Sequence, residues 1–379
     1  MNSAKDCTIY VGTYTGGASE GIYAVNLDMQ TGRLEIAGLA AKLQNPSYLV
    51  FSMDGEYIYA VLENESYEGE TGGAAVALRT TGREGSLELL NIRSTIGRGP
   101  CHLAVDSSNR HLYTANYSEG SVTMFSLEAD GRIGDVSGYI KHKGSGPNKK
   151  RQEGPHAHCT VLTPDEEILC VVDLGIDRIL MYDLTGSCRE ISYKENGEQL
   201  IKPGSGPRHL VFHQNGRFAY LVNELSSDIA VLEYDAAGKE FTLKQSISAL
   251  PEDYNSISYC GAIKISPDGR FVYASNRGHD SIAIFRIDTE TGMLVPCGYQ
   301  PTLGSYPRDF EFDPSGKYVI VANQQSGNLV SFYVNGETGM LEPTGNIISL
   351  DDAVCVKFTP KKHYQRWLQL EYQQSKANY

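Results

Sequence analysis

The residues best suited to chemistry in this sequence are one histidine, three arginines and two glutamates, each at the end of an apolar segment. They are His158, Arg208, Arg277, Arg308, Glu63 and Glu224. Imidazole and carboxylate groups transfer protons in enzyme active sites, and guanidinium groups stabilise negative charge that develops on oxygen. These residue types favour acid/base chemistry on a small anionic molecule.

Two of these residues belong to a single strand-turn-strand segment, 206–224. Its middle is apolar, its turn is Asn215-Gly216, and Arg208 and Glu224 lie near its two ends. An antiparallel hairpin brings its open ends together. The segment therefore predicts that Arg208 and Glu224 are spatial neighbours.

The same hairpin pattern recurs along the chain. Its turns have their third positions at Gly55, Asn109, Glu166, Gly216, Gly269 and Gly316. Two further strand-like segments follow most of these hairpins, and the spacings between turns are 54, 57, 50, 53 and 47 residues. Four short antiparallel strands per repeat of this length are typical of a propeller blade.

The two ends of the chain supply the remaining blade. Residues 8–14 match a second strand without a first, and residues 352–360 match a first strand without a second. Pairing them closes a ring and removes exposed sheet edges. The prediction is an all-β fold: a seven-bladed β-propeller with four antiparallel strands per blade, forming a single domain over 7–360. Residues 361–379 are a C-terminal tail that forms a short helix or frays.

Aligning the repeats on their turns predicts which residues meet at one mouth of the central channel. First strands begin with Ser47, Cys101, His158, Arg208, Gly261, Arg308 and Val354, and second strands end with Glu63, Tyr117, Leu174, Glu224, Arg277, Gln324 and Tyr14. In a propeller these two sets of positions share one face of the disc. Three arginines at one mouth repel each other unless a carboxylate or a bound anion lies between them, which predicts an anionic ligand.

Other histidines near these positions could have different roles. His156 precedes His158 by two residues, so in a strand both would point to one face. The pair could ligate a metal, but no third ligand accompanies it, and no metal site is predicted. His102 and His209 lie one position beyond the register of the ring. They are predicted to face the other way and to form hydrogen bonds between blades.

Residues 141–151 form a basic, glycine-rich loop within an acidic chain. The loop ends in Lys149, Lys150 and Arg151, directly before the His156 segment. Two interpretations remain open: a solvated loop without a role, or a loop whose Lys150 and Arg151 help to bind an anionic substrate.

Composition excludes several classes of function. The formal net charge of −13 argues against binding to nucleic acid or to an anionic membrane surface. There is no apolar run of 18 residues, no signal peptide, and no CxxC pair among the eight cysteines, which favours a reduced, cytoplasmic protein. Nucleophile-elbow, phosphate-loop and dinucleotide motifs are missing from the sequence, so a serine hydrolase or nucleotide enzyme is not expected.

Five motifs identify a family resemblance that covers residues 7–360. They are Tyr10-Val11-Gly12-Thr13-Tyr14-Thr15, Glu153-Gly154-Pro155-His156-Ala157-His158, Gly206-Pro207-Arg208-His209, Val222-Asn223-Glu224-Leu225 and Tyr306-Pro307-Arg308-Asp309-Phe310. Together they resemble the seven-bladed propeller lactonases, which include bacterial 6-phosphogluconolactonases and fungal carboxymuconate-lactonizing enzymes. The resemblance implies a hydrolase or cycloisomerase that acts on a sugar or carboxylate lactone without a cofactor.

The resemblance also implies roles for individual residues. The proposed histidine, arginine and glutamate of the family match His158, Arg208, Glu224 and Arg277, and His156 could replace the first of these. The leading hypothesis is hydrolysis of 6-phosphogluconolactone in the pentose phosphate pathway. Glu224 or His158 would be the general base, and Arg208 and Arg277 would stabilise the oxyanion or hold the substrate.

The remaining substrate-binding residues complete this hypothesis. Arg308, with Lys149, Lys150 or Arg151, would hold the phosphate, and Glu63 and His156 would also contact the substrate. One alternative is a lactonizing step on a carboxymuconate-type diacid, in which the arginines would bind two carboxylates. The other is a propeller that acts as a non-catalytic binding platform, because the fold alone does not imply a function.

Overall fold

The computed structural model describes residues 6–81, 85–184 and 192–360. These residues form seven four-stranded antiparallel sheets and one two-stranded hairpin. No helix in these ranges is long and apolar enough to cross a bilayer. The sheets are the blades of the propeller, so the predicted fold class is confirmed.

Each blade is named by its position along the chain, and blade 7 is the one that joins the two ends. Blade 7 contains β1 (Asp6–Thr13), β2 (Gly21–Asp28), β3 (Leu34–Lys42) and β30 (Ala353–Phe358). Blade 1 contains β4 (Tyr48–Phe51), β5 (Tyr57–Leu62), β8 (Ala74–Thr80) and β9 (Leu87–Ser94), with the small hairpin β6 (Ser66–Tyr67) and β7 (Glu70–Thr71) inserted. Blade 2 contains β10 (Pro100–Val105), β11 (His111–Asn116), β12 (Ser121–Leu127) and β13 (Ile133–Lys141).

The other four blades repeat this arrangement. Blade 3 contains β14 (Ala157–Leu162), β15 (Ile168–Asp173), β16 (Arg178–Asp183) and β17 (Ser192–Leu200). Blade 4 contains β18 (Pro207–Phe212), β19 (Phe218–Asn223), β20 (Asp228–Asp235) and β21 (Glu240–Ser248). Blade 5 contains β22 (Tyr259–Ile265), β23 (Phe271–Arg277), β24 (Ser281–Ile287) and β25 (Leu294–Pro301). Blade 6 contains β26 (Pro307–Phe312), β27 (Tyr318–Asn323), β28 (Asn328–Val334) and β29 (Leu341–Ser349).

The recurring turn is fixed by backbone conformation. All six third positions have a positive φ, for example 71° at Gly216 and 76° at Gly55. Asn109 and Glu166 take the same conformation, with φ of 53° and 56°. Glycine adopts this region without steric cost, which explains why it dominates the position and why the turns align the repeats.

A buried tyrosine in the second strand links each of several blades to the next. The hydroxyl of Tyr220 in blade 4 donates to the carbonyl of Gly292 in blade 5 at 3.0 Å. Tyr59 donates in the same way to Gly131 of blade 2 at 3.0 Å. Both rings are fully buried. The tyrosine therefore fills the space between neighbouring blades and satisfies a carbonyl in the adjacent turn.

Blade 7 closes the ring as predicted. Strands β1 and β30 pair antiparallel, with Ile9 opposite Phe358 and Val11 opposite Val356. Residues 361–379 lie outside the described residues, so the predicted tail and the domain boundary at 360 stay predictions.

Removal of β30 should abolish folding. A chain that ends at Leu350 loses five side chains that are buried in blade 7, from Ala353 to Phe358. At about 1.5–3 kcal/mol for each of the three large apolar side chains among them, Val354, Val356 and Phe358, the loss is about 5–9 kcal/mol. This is comparable with the whole stability of a typical domain, about 5–15 kcal/mol. We expect no cooperative thermal transition by circular dichroism.

A chain that ends at Pro360 is the matched control, because it keeps every described strand. It should melt at the temperature of the full chain. A cooperative transition in the shorter chain would contradict the role of the closing strand, and a lost transition in the longer one would place the domain boundary beyond 360.

Candidate active site

A polar pocket of 340 Å³ opens at one mouth of the central channel. It is lined by Tyr14, Glu63, Cys101, Tyr117, Arg151, His158, Glu224, Arg277, Tyr306 and Arg308. Eight of these ten belong to the two sets of strand ends aligned in the sequence. The structure thus brings together five of the six residues with which the sequence analysis began, and it places the sixth, Arg208, directly beneath.

Backbone bulges aim the first-strand residues into the channel. In β10, β14, β18 and β26 the ladder skips the second residue of the strand: Cys101, His158, Arg208 and Arg308. A bulge leaves one residue unpaired and redirects its side chain. Four blades therefore present a variable side chain at the same place without disturbing the apolar strand that follows.

The carboxylate of Glu224 is the centre of the site. Its Oε2 lies 2.7 Å from Nη2 of Arg277 and 3.2 Å from Nε of Arg208. Its Oε1 accepts a hydrogen bond from Nη2 of Arg151 at 2.5 Å. The predicted contact between Arg208 and Glu224 is confirmed, and the carboxylate that must separate the arginines comes from the protein itself.

Burial and charge act in opposite directions on this carboxylate. Burial alone raises the pKa of Glu224, but the charges of Arg277 and Arg208 outweigh it and hold the pKa well below its ordinary value. Glu224 is therefore ionised at neutral pH. The same burial, together with Arg277, lowers the pKa of Arg208 to about 10, so this guanidinium is still protonated.

Two of the three arginines are fixed by main-chain carbonyls of β22. Nη1 of Arg208 donates to Gly261 at 2.9 Å, and Nη2 of Arg277 donates to Cys260 at 2.7 Å. Both side chains are at most 4% exposed. Arg277 lines the pocket, whereas Arg208 lies below it in a deeper cavity of 10 Å³ beside Arg308. Arg208 therefore positions Glu224 from beneath the pocket.

His158 presents a neutral imidazole to the pocket. Burial and the charge of Arg208 lower the pKa of His158 well below its usual value. Its Nδ1 is buried and has no hydrogen-bond partner within the described part of the protein. An unpaired polar atom in a buried site is costly, and the imidazole ring that carries this atom lines the pocket.

A second group of residues faces Glu224 across the pocket and spans three blades. Nη2 of Arg308 donates to the hydroxyl of Tyr14 at 2.7 Å, and Tyr14 donates to Oε2 of Glu63 at 2.9 Å. The guanidinium of Arg308 also lies 5.2 Å from the centre of the Tyr14 ring. Burial raises the pKa of Tyr14, so its hydroxyl keeps its proton and joins the two charged side chains.

The basic loop ends in Lys149, Lys150 and Arg151, and of these three only Arg151 lines the pocket. Arg151 lies under the mouth, where it also approaches the hydroxyl of Tyr117 at 3.4 Å. Lys149 and Lys150 are exposed and do not line the pocket. Lys150 is therefore not brought to the site as the sequence analysis expected, because its side chain projects into solvent from a turn.

His156 also lies outside the pocket lining. It precedes β14, so the strand alternation expected for His156 and His158 does not apply. Its ring stacks on Tyr117 with centroids 4.5 Å apart, and its Nδ1 lies 3.0 Å from the carbonyl of Tyr117. His156 therefore supports a wall of the pocket, and His158 is the histidine that faces into it.

The prediction that His102 and His209 face away from the channel is wrong. Their ring centroids are 5.3 Å apart, and His209 lies equally close to His158. The cause is the bulge, because the extra residue restores the inward direction one position later. Their predicted bonding between blades is confirmed for His102, whose Nδ1 accepts a bond from the backbone N–H of Thr160 in blade 3 at 3.3 Å.

The sequence analysis missed several aromatic residues that line the pocket. Tyr14 and Tyr117 were aligned at the ring positions but were given no role, and the same is true of the non-aromatic Cys101. Tyr306 was not aligned at all, yet its ring lies 5.2 Å from the guanidinium of Arg277. Its position directly before the bulged Pro307-Arg308 pair was the available signal, but its φ of 66° could not be read from the sequence.

The opposite face of the disc holds a larger cavity of 460 Å³. Its walls are mainly the apolar ends of inner strands, and it contains none of the six residues with which the sequence analysis began. Nowhere in the described ranges do three His, Cys, Asp or Glu side chains group in a way that could hold a metal ion. The 340 Å³ pocket is therefore the candidate active site.

Comparison with known proteins agrees with this arrangement. The family described as a lactonase with a seven-bladed β-propeller matches residues 8–358. A Bacillus subtilis protein named 6-phosphogluconolactonase is 40% identical over 303 residues, covering 80% of this chain and 84% of the relative. A Formosa agariphila protein of the same name is 34% identical over 307 residues, covering 80% and 85%.

A solved structure extends the likeness to three dimensions. The periplasmic gluconolactonase of Pseudomonas aeruginosa superposes with a TM-score of 0.88 at 31% identity, over 93% of this chain and 99% of that protein. The motifs, the seven closed blades and the family match together place this chain in the seven-bladed β-propeller lactonase family.

Proposed function

We propose that this protein is a 6-phosphogluconolactonase, which hydrolyses the lactone to 6-phosphogluconate. The observation that carries the proposal is a buried, ionised carboxylate, Glu224, that shares one pocket with a neutral histidine and several guanidinium groups. Two curated relatives bear the same name. The pocket volume of 340 Å³ lies within the range of small-molecule sites.

The proposed chemistry uses these residues and one water molecule. Glu224 accepts a proton from water as the water oxygen attacks the lactone carbonyl, and Arg277 and Arg308 stabilise the resulting oxyanion. The bond between the carbonyl carbon and the ring oxygen then breaks, and Glu224 returns its proton to the departing oxygen. The neutral imidazole of His158, which lines the pocket, binds the attacking water or a substrate hydroxyl. No cofactor takes part.

The phosphate is better placed near Arg151 than near Arg308. Arg308 shares its side of the pocket with the Glu63 carboxylate through Tyr14, and a phosphate there would be repelled. Arg151 instead belongs to a loop with two neighbouring lysines. We therefore assign Arg308 to the lactone end of the substrate and Arg151 to the phosphate end.

A cytoplasmic location is part of the proposal. All seven cysteines of the described ranges have free thiols, which suits a reducing compartment. The anionic lactone produced there by oxidation of a sugar phosphate is the expected partner.

The direct test is an assay of lactone opening. Purified protein should accelerate formation of 6-phosphogluconate from freshly generated lactone, measured by coupled dehydrogenase absorbance against the spontaneous rate. A folded sample that gives only the spontaneous rate would overturn the assignment.

Glu224→Gln should lower kcat by about 100- to 10,000-fold, the usual contribution of a general base. The amide keeps the shape of the side chain but cannot accept the proton. Melting temperature should be measured in parallel, because the variant leaves the guanidinium groups of Arg208 and Arg277 without their counter-ion. Glu65→Gln is the matched control: Glu65 is 65% exposed and bonds to Ser118 away from the pocket lining. A folded Glu224→Gln variant with full activity would refute the site.

Arg308→Gln should lower kcat by about 100- to 1,000-fold with a smaller change in KM, because the interaction is formed mainly with the oxyanion. Arg308→Lys should restore part of the loss, since it keeps the charge without the planar fork. Arg217→Gln removes an exposed guanidinium paired with Glu233 and should have wild-type kinetics. A pure KM effect in Arg308→Gln would instead assign Arg308 to binding of the substrate in its ground state.

A further inference from the structure

The three guanidinium groups that surround Glu224 are not held equally. Arg208 and Arg277 are almost completely buried and are fixed by main-chain carbonyls, as described above. Arg151 is 33% exposed. Its other contacts are the Tyr117 hydroxyl at 3.4 Å and the Tyr259 ring, whose centre lies 5.7 Å away. Arg151 is therefore the partner that can leave Glu224 most easily.

The loop that carries Arg151, residues 142–156, is itself firmly anchored. Asp173 binds both of its ends, through the ring of His142 at 2.6 Å and the backbone N–H of His156 at 2.7 Å. Next to Arg151, the fully buried Gln152 donates to the carbonyl of Leu174 at 2.9 Å. Because the backbone is fixed, departure of Arg151 from Glu224 requires only rotation of its side chain.

The two carboxylate oxygens of Glu224 therefore have different nearest guanidinium groups. Oε2 is shared by Arg208 and Arg277 and stays paired whatever Arg151 does. The shortest contact of Arg151 is with Oε1, whereas the shortest contacts of Arg208 and Arg277 are with Oε2. While Arg151 remains there, it occupies one lone-pair direction of Oε1, and its charge helps to hold the pKa of Glu224 low, which makes the carboxylate a weaker base.

We propose that Arg151 couples catalysis to the substrate's phosphate: the phosphomonoester group takes Arg151 away from Glu224 and thereby frees Oε1 as the general base. This inference rests on the proposed lactonase function. A phosphate dianion binds a guanidinium through two parallel hydrogen bonds, and the exposed Lys149 and Lys150 beside Arg151 attract it to that side of the mouth. Binding energy from a part of the substrate that does not react is thus used to activate the base.

The charges around Glu224 explain why displacement of Arg151 makes the carboxylate a stronger base. Glu224 faces Arg277, Arg208, His158 and Arg151, and the charges of the three arginines hold its pKa low. Loss of one cation raises the pKa of a neighbouring carboxylate. A higher pKa makes the carboxylate a better proton acceptor near neutral pH. Arg208 and Arg277 keep Glu224 in place meanwhile.

The test compares two lactones with and without a separate phosphate. Arg151→Gln should lower kcat/KM for 6-phosphogluconolactone by about 10- to 100-fold, the usual effect of losing a charged hydrogen bond. For unphosphorylated gluconolactone kcat/KM should rise, because the variant frees Glu224 from its pair with Arg151, and an unchanged value would contradict the proposal. Millimolar inorganic phosphate should stimulate hydrolysis of gluconolactone by the wild type, after subtraction of the enzyme-free rate, but not by Arg151→Gln.

Two further variants separate this role from a structural one. Arg151→Lys keeps the cation and should retain part of the phosphate stimulation. Lys143→Gln removes an exposed charge from the same loop, outside the pocket lining, and should respond to phosphate as the wild type does. The acidic limb of the kcat/KM profile, which follows ionisation of Glu224, should lie at higher pH in Arg151→Gln than in the wild type with the same substrate.

The outcomes also distinguish this inference from the function on which it rests. Wild-type protein that does not hydrolyse 6-phosphogluconolactone overturns the proposed function. Wild-type protein that hydrolyses it but is not stimulated by phosphate on gluconolactone overturns the role of Arg151 alone. Equal losses on both lactones in Arg151→Gln, or an unchanged acidic limb, overturn it as well.

Discussion

The pocket depends on one buried carboxylate. Guanidinium groups brought together in a closed channel repel each other, and leaving an isolated charge in a buried site costs several kcal/mol, on the order of 3–5 when its partner is removed. Glu224 offsets both the repulsion and the cost of burial because it pairs with Arg208 and Arg277, which are both anchored to β22. Arg277 can then face the pocket with its charge intact, and the carboxylate stays ionised in a place where burial alone would protonate it.

Much of this could be predicted because the repeat imposes a strict period. The turns reveal it through a backbone requirement, a positive φ that glycine meets most easily, as at Gly216 and Gly269. Once the turns were aligned, the antiparallel hairpin itself placed Arg208 beside Glu224. Closure followed in the same way, from two incomplete hairpin patterns at the ends of the chain.

What could not be predicted lies where the period is broken. A one-residue bulge reverses the direction of each side chain that follows it, so strict alternation gave the wrong side for His102 and His209. The loop 142–156 has no repeat to fix its path, and its composition suited Lys150 as well as Arg151. The structure brings Arg151 into the pocket and leaves Lys150 exposed to solvent.

The pairing of β1 with β30, which closes the ring, has a consequence for folding during synthesis. Tyr14, in the turn after β1, joins Arg308 of blade 6 to Glu63 of blade 1, while β1 is held in its blade by β30. During synthesis on the ribosome Tyr14 emerges near the beginning, long before the strand that completes its blade. The pocket is therefore incomplete until β30 docks, so competence for chemistry arises in a single late step.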